Sequence, residues 1–160
     1  MKKSIFTIAI LLSAFAILAT SCSKDDDPTT EKTEGKYTVK MDGKTIATGT
    51  TIEVGWLETL ASMSKGDDFT VLVASVPEET GGVYNFDSSS STGTVTIMGK
   101  NLLLTDGSDE LYFSASGSIK RESTTKISFE GTCSAMMSSE THSFSGTLES
   151  DVFKIKYNKD

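Results

Sequence analysis

The chain predicts an all-β fold, a single antiparallel β-sandwich or up-and-down β-barrel with a C-terminal four-strand meander. Three observations carry this. From Lys36 onward apolar residues recur at every second position, the period of a strand with one buried face. Gly, Asp, Asn and Ser clusters interrupt the pattern at near-regular intervals, as turns between short strands do. No stretch shows strand–helix–strand alternation or a long 3.6-residue period.

Taken in order, Tyr37, Val39 and Met41 alternate with Thr38 and Lys40 and define a first strand. Asp42-Gly43 then marks a hairpin, because a type I′ turn needs positive φ at both central residues. The chain returns through Lys44 to Thr48. From Thr51 to Ser64, Ile52, Val54 and Trp56 share a face, and Gly55 suggests a bulge. Composition alone allows a helix over Leu57 to Met63; the turn Lys65-Gly66-Asp67-Asp68 argues for a strand instead. Phe69 to Val76 (FTVLVASV) is apolar on both faces, as a central strand is. Val83 to Phe86 is a short strand, followed by a Ser-rich loop over Asp87 to Thr92. Gly93–Met98 and Leu102–Thr105 read as a pair across Gly99-Lys100-Asn101.

The last fifty residues have the most regular pattern. Leu111, Phe113, Ala115, Gly117 and Ile119 form one inward set, and Ile127, Phe129, Gly131, Cys133 and Ala135 the next. Phe144, Gly146 and Leu148 follow, then Phe153, Ile155 and Tyr157. Tight turns place Ile119 opposite Ile127, Cys133 opposite Phe144 and Leu148 opposite Phe153, a register that keeps every apolar residue on one face. Gly131 and Gly146 read as positions where a backbone or a bulky ring comes close.

The N-terminus is organised differently. Lys2 and Lys3 precede an apolar run from Ile5 to Thr20, and small residues follow. That is the pattern of a secretory signal. The run of about 15 residues is short of the roughly 20 that span a bilayer as a helix. Ala19-Thr20-Ser21-Cys22 resembles the lipobox of bacterial lipoproteins. The resemblance implies cleavage before Cys22 and acylation of its thiol and new amino group. Several acyl chains, at about 0.8 kcal/mol per buried CH₂, anchor a protein without any spanning segment. Ser23, Lys24, Asp25, Asp26 and Asp27 resemble the acidic export tract that follows the lipidated cysteine in lipoproteins of Bacteroidota, which implies display on the outer face of the outer membrane. The charge run also suits a solvated spacer. The expected organisation is a signal peptide over 1–21, a lipidated cysteine with a flexible acidic tether over 22–35, and a β-rich domain over 36–160.

Removing residues 1–21 leaves 13 basic against 22 acidic side chains, a net charge of −9. That balance excludes the basic stripe of a nucleic-acid binder and electrostatic docking to an anionic bilayer. With Cys22 acylated, Cys133 has no partner for a disulfide.

Signals for chemistry are sparse. Cys133 and His142 are the candidates for a thiol–imidazole pair. The expected hairpin sets them diagonally, and a buried cysteine is ordinarily a small hydrophobe. One His and one Cys do not make a zinc site. No Gly-x-Ser-x-Gly elbow or phosphate-cradling loop occurs. Glu53, Glu58, Glu110, Glu130 and Glu149 are the carboxylates from which a glycosidase pair would be drawn; Glu53, Glu130 and Glu149 are expected to face solvent. The acidic turns Gly66-Asp67-Asp68 and Asp106–Glu110 suit either turn chemistry or a calcium ion. Trp56 reads as core or as a sugar-stacking platform, and Tyr84 and Tyr112 as exposed.

Signal, tether and β-rich domain together resemble the small β-sheet lipoproteins of Bacteroidota, with Tyr37–Lys44 (YTVKMDGK) a recurrent opening. That resemblance implies no catalytic residues and no cofactor. The expected function is a non-enzymatic binding or accessory module, anchored through the lipid on Cys22 and meeting a glycan, a host molecule or an outer-membrane protein. The alternatives are a calycin-like barrel enclosing a small apolar ligand and a hydrolase using Cys133 or scattered carboxylates.

Overall fold

The computed structural model describes residues 34–87, 94–104, 107–136 and 138–154. The expected signal peptide and the tether up to residue 33, with Cys22 and Ser23–Asp27, lie outside the described residues. So do most of the Ser-rich loop, Asp106, and Ile155 and Tyr157.

The described chain is nearly all β. Its strands are β1 (Gly35–Met41), β2 (Lys44–Thr51), β3 (Glu53–Leu57), β4 (Leu60–Lys65) and β5 (Phe69–Val73), then β6 (Val83–Phe86), β7 (Val95–Lys100), β8 (Asp109–Arg121), β9 (Lys126–Ala135) and β10 (Thr141–Ser150). A 3-10 turn, Asp151–Lys154, follows β10. All strand pairs are antiparallel, in the order β2-β1-β10-β9-β8-β7-β5-β4-β3, with β6 beside the second half of β8.

This order curls into a nearly closed barrel, and the reason is local. β2 and β3 end the path on opposite sides, yet only Ile52 separates them in the chain. One bent stretch thus pairs with β1 by its first half and with β4 by its second. The bend is held by the Thr51 hydroxyl, which donates to the Ser64 carbonyl and accepts from the Glu53 N–H. A sheet whose two edge strands are consecutive cannot lie flat, so the barrel is selected over the sandwich.

The Asp42-Gly43 hairpin forms as its sequence requires, with φ of 49° and 77°. Leu57–Met63 is strand, not helix: β3 and β4 join through Glu58-Thr59, with Glu58 at positive φ. Gly55 pairs regularly with Ser62; the ladder instead skips Ile46 in β2 and Ala115 in β8, where the bulges sit.

The bulge at Ala115 reverses the expected phase of β8. Beyond it Gly117 and Ile119 point inward as expected; before it Glu110 and Tyr112 are buried, while Leu111 and Phe113 are half-buried. Of the expected strand Leu102–Thr105, residues 102–104 are not strand and Thr105 lies outside the described residues; β7 pairs with β5 and β8. The register also shifts: Ile119 faces Phe129, Phe144 faces Gly131, and His142 faces Cys133. The four-strand meander at the C-terminal end runs β7-β8-β9-β10, because Phe153 lies in the 3-10 turn, not opposite Leu148.

The interior is filled from all walls. Tyr37 on β1 stacks on Phe69 of β5 at 5.2 Å, and Phe129 meets Phe144 at 6.2 Å. Met41, Met63, Ile97, Ile119, Ile127 and Leu148 are fully buried, each contributing roughly 1.5–3 kcal/mol. The inward glycines make room for this packing. A side chain on Gly146 would overlap the Phe129 ring, and one on Gly131 would overlap the Ser116 carbonyl across from Gly117.

Candidate functional site

On the outer wall, alternation and register bring polar residues from five strands into one row. Lys40 lies opposite Ser145, Ser145 opposite Glu130, Glu130 opposite Ser118, and Ser118 opposite Asn85. With Thr132, Ser143 and the bare backbone of Gly117 and Gly131, this row lines an open cleft of about 640 Å³. The adjoining hydroxyls of Ser116 and Thr132 lie 2.8 Å apart. The wall presents hydroxyls, an amide, one ammonium and one carboxylate. Such groups can hold a polar ligand by hydrogen bonds.

Ser143, which lines the cleft, also belongs to the cluster Asp42–His142–Ser143. His142 Nδ1 lies 2.7 Å from Asp42 Oδ2, and Asp42 Oδ1 accepts from the Ser143 N–H at 2.9 Å and its hydroxyl at 3.2 Å. The His142 hydrogen bond, then the Ser143 N–H, holds the Asp42 carboxyl below its ordinary range. The Ser143 hydroxyl is directed at the carboxylate, whereas a serine nucleophile must face the imidazole. The arrangement ties the β1–β2 turn to β10.

Cys133 sits directly opposite His142, not diagonal to it. Only 1% of it is exposed. Burial, with a further push from the Asp42 carboxylate, raises its thiol to about 11. A thiol nucleophile needs the opposite shift. Cys133 is therefore a protonated core residue at neutral pH.

The chemistry that sequence reasoning missed lies inside the same end of the barrel. Glu110 is 6% exposed, and its carboxylate is ringed by protein donors. The N–H groups of Leu102, Leu103 and Leu104 converge on its two oxygens at 2.5–3.2 Å. The Tyr112 hydroxyl donates to Oε2 at 2.7 Å. Successive amides curled around an anion form a nest. Here the chain supplies its own anion, and the segment expected to be a strand is the nest. Burial, and then Glu110, raise the Tyr112 phenol, so it stays a donor. The edge of Tyr112 meets the His142 ring at 5.7 Å. An acid two residues before a tyrosine in a strand was the available signal, hidden by the bulge.

No protein-family model, curated protein or solved structure matches this chain.

Trp56 is half-buried against the core, tilted on Phe153 at 5.5 Å with the Arg121 guanidinium 5.3 Å from its ring centre. Arg121 is buried and donates to the carbonyls of Thr124 at 3.1 Å and Phe153 at 2.5 Å. This packing engages the indole face with protein groups instead of leaving a sugar platform. Tyr112 is core, contrary to expectation, and Tyr84 is half-buried beside Phe86.

Glu53, Glu130 and Glu149 face solvent as expected. Glu130 faces Ser145 and Ser118, and Glu149 faces Lys36 and Lys126, so neither lies opposite a second carboxylate. Among the described residues, no group of three or more His, Cys, Asp or Glu side chains could hold a metal ion. Glu110, proposed for the second acidic turn, spends its oxygens on the nest. No described helix is long and apolar enough to cross a membrane.

Proposed function

We propose that this chain is a lipoprotein held in the outer membrane by acyl chains on Cys22, displayed at the cell surface through Ser23, Lys24, Asp25, Asp26 and Asp27, and acting as a non-enzymatic binding or accessory module. The anchoring half rests on the lipobox-like Ala19–Cys22 and the acidic run after it. The observation that carries the binding half is where the usable polar groups lie. Inside, opposing walls meet as Tyr37 on Phe69, and Glu110 is consumed by its nest. Outside, the row Lys40–Ser145–Glu130–Ser118–Asn85 lines an open cleft. This favours a polar ligand on the outer wall, a glycan or a hydrophilic protein surface, over an apolar guest in a calycin-like cavity. The burial of Cys133, with its thiol pushed up, speaks against the thiol version of the hydrolase reading.

The test is protease shaving of intact cells, with a periplasmic control protein and a Cys22→Ala variant alongside. The proposal expects the wild type to be cut while the control survives, and Cys22→Ala to leave the membrane fraction. Protection of the wild type would reduce the acidic tract to a spacer. Cys22→Ala remaining in the membrane fraction would remove the lipid anchor.

A further inference from the structure

We propose that the open edge of β2 pairs with β2 of a second copy, antiparallel and about a two-fold axis near Ala47–Thr48. The edge is real: β2 ends the sheet path, with β1 on one side and no described strand on the other. Lys44, Thr45, Thr48, Gly49 and Thr50 are exposed along it. Unpaired N–H and C=O groups of an extended edge are satisfied by another extended backbone and by little else. Edges are usually blunted by inward charge or proline, and Thr45 to Thr51 has neither. The bulge at Ile46 lies towards one end and leaves Ala47–Thr51 regular.

What specifies a second copy over an unrelated strand is the charge at the two ends. Lys44 stands at one end. At the other is a cleft of about 320 Å³ lined by Glu34, Thr50, Thr51, Ile52, Glu53, Lys65 and Gly66. It holds two carboxylates against one ammonium, and Ile52 in it is 66% exposed. Antiparallel self-pairing brings Lys44 of each copy to Thr50–Thr51 of the other. The ammonium then meets Glu34 and Glu53, and its methylene stem lies on Ile52. The two-fold repeats the contact, as an isologous interface must. A parallel arrangement would instead bring lysine to lysine.

An eight-residue edge buries less than the roughly 1,200–2,000 Å² of a stable interface. The dimer is thus weak in dilute solution and is best read in cells, on the full chain. Thr48→Cys and Ala47→Cys are each treated on intact cells with a short bis-maleimide, with folding checked by resistance to limited proteolysis. Thr38→Cys, on the same wall one strand inward, reports background, and the wild type reports any reaction through Cys22 or Cys133. The proposal expects a band of twice the mass for Thr48→Cys or Ala47→Cys and none for Thr38→Cys or the wild type. Lys44→Glu should lower the dimer by about fivefold, the effect of two exposed ion pairs made repulsive. Lys44→Glu with Glu34→Lys should restore it. A folded protein giving only monomer at both positions overturns the proposal. So does an adduct of another mass, which would make the edge a site for a different partner, or a dimer indifferent to Lys44→Glu.

Discussion

Replacing Glu110 by Gln tests the most unusual feature of the interior. The carboxylate accepts from three backbone N–H groups and one phenol. The amide keeps one accepting oxygen and turns an NH₂ towards groups that are themselves donors; only Tyr112 can rotate to accept. Hydrogen bonds to a charged group contribute about 1.5–3 kcal/mol and neutral ones about 0.5–1.5, so four bonds lose about 1 kcal/mol each. Relief from burying a charge offsets part of this, leaving a net loss of about 2–3 kcal/mol. For a domain of this size that is a fall in Tm of roughly 6–15 °C. Glu110→Ala leaves three N–H groups unmatched and should cost more, about 3–5 kcal/mol. Tyr112→Phe should cost about 1 kcal/mol alone and be non-additive with Glu110→Gln. Urea unfolding of the wild type, the three single variants and the Glu110→Gln/Tyr112→Phe double variant gives these values directly. A Glu110→Gln variant within about 0.5 kcal/mol of the wild type would refute the nest as a stabilising device.

Three further predictions follow from the same geometry. Asp42 has a depressed pKa in the fold, so its contribution to stability is present above the ordinary aspartate value of about 3.9 and is lost as pH falls through the folded value. Urea midpoints of Asp42→Asn should therefore change less with pH below about 4 than those of the wild type; parallel profiles would deny the His142–Asp42 tie. Cys133, pushed to about 11, should react with a disulfide reagent at pH 8 roughly two orders of magnitude more slowly in the folded Cys22→Ala protein than after unfolding, from ionisation alone. Equal rates would mean that the thiol is accessible and ionised. Gly131→Ala forces a side chain into the Ser116 carbonyl and should cost at least about 2 kcal/mol, whereas Gly43→Ala, in open space at φ +77°, should cost about 1. A reversed order in thermal unfolding would contradict the close approach of β8 and β9.

The parts of the fold written in local chemistry could be read from the chain. Asp42-Gly43 states its own turn, Phe69–Val73 states its burial on both faces, and Gly131 and Gly146 state a close approach. The parts that depend on register could not. A single unpaired residue, Ala115, inverts the inward and outward assignments before it in β8, so Tyr112 reads as exposed and Glu110 as part of an acidic turn when both are buried. The alternation Leu111–Phe113 is genuine and misleading, because half-buried apolar residues on the outer wall obey the same period. Leu102–Leu104 look like a strand because apolar composition does not reveal that three successive N–H groups turn to one acceptor. The bend at Ile52, which makes a barrel of the sheet, carries no Gly or Pro to mark it. The polar cleft was legible only as scattered Ser and Thr, since the row across five strands exists once the register is set.

Acylation of Cys22 is tested most directly by mass spectrometry of the N-terminal peptide of the mature protein, purified from membranes. The prediction is a chain that begins at Cys22 and carries acyl groups on its thiol and amino nitrogen. A chain that keeps residues 1–21, or one that begins with an unmodified residue, would contradict the anchor and with it the proposed place of this protein in the cell.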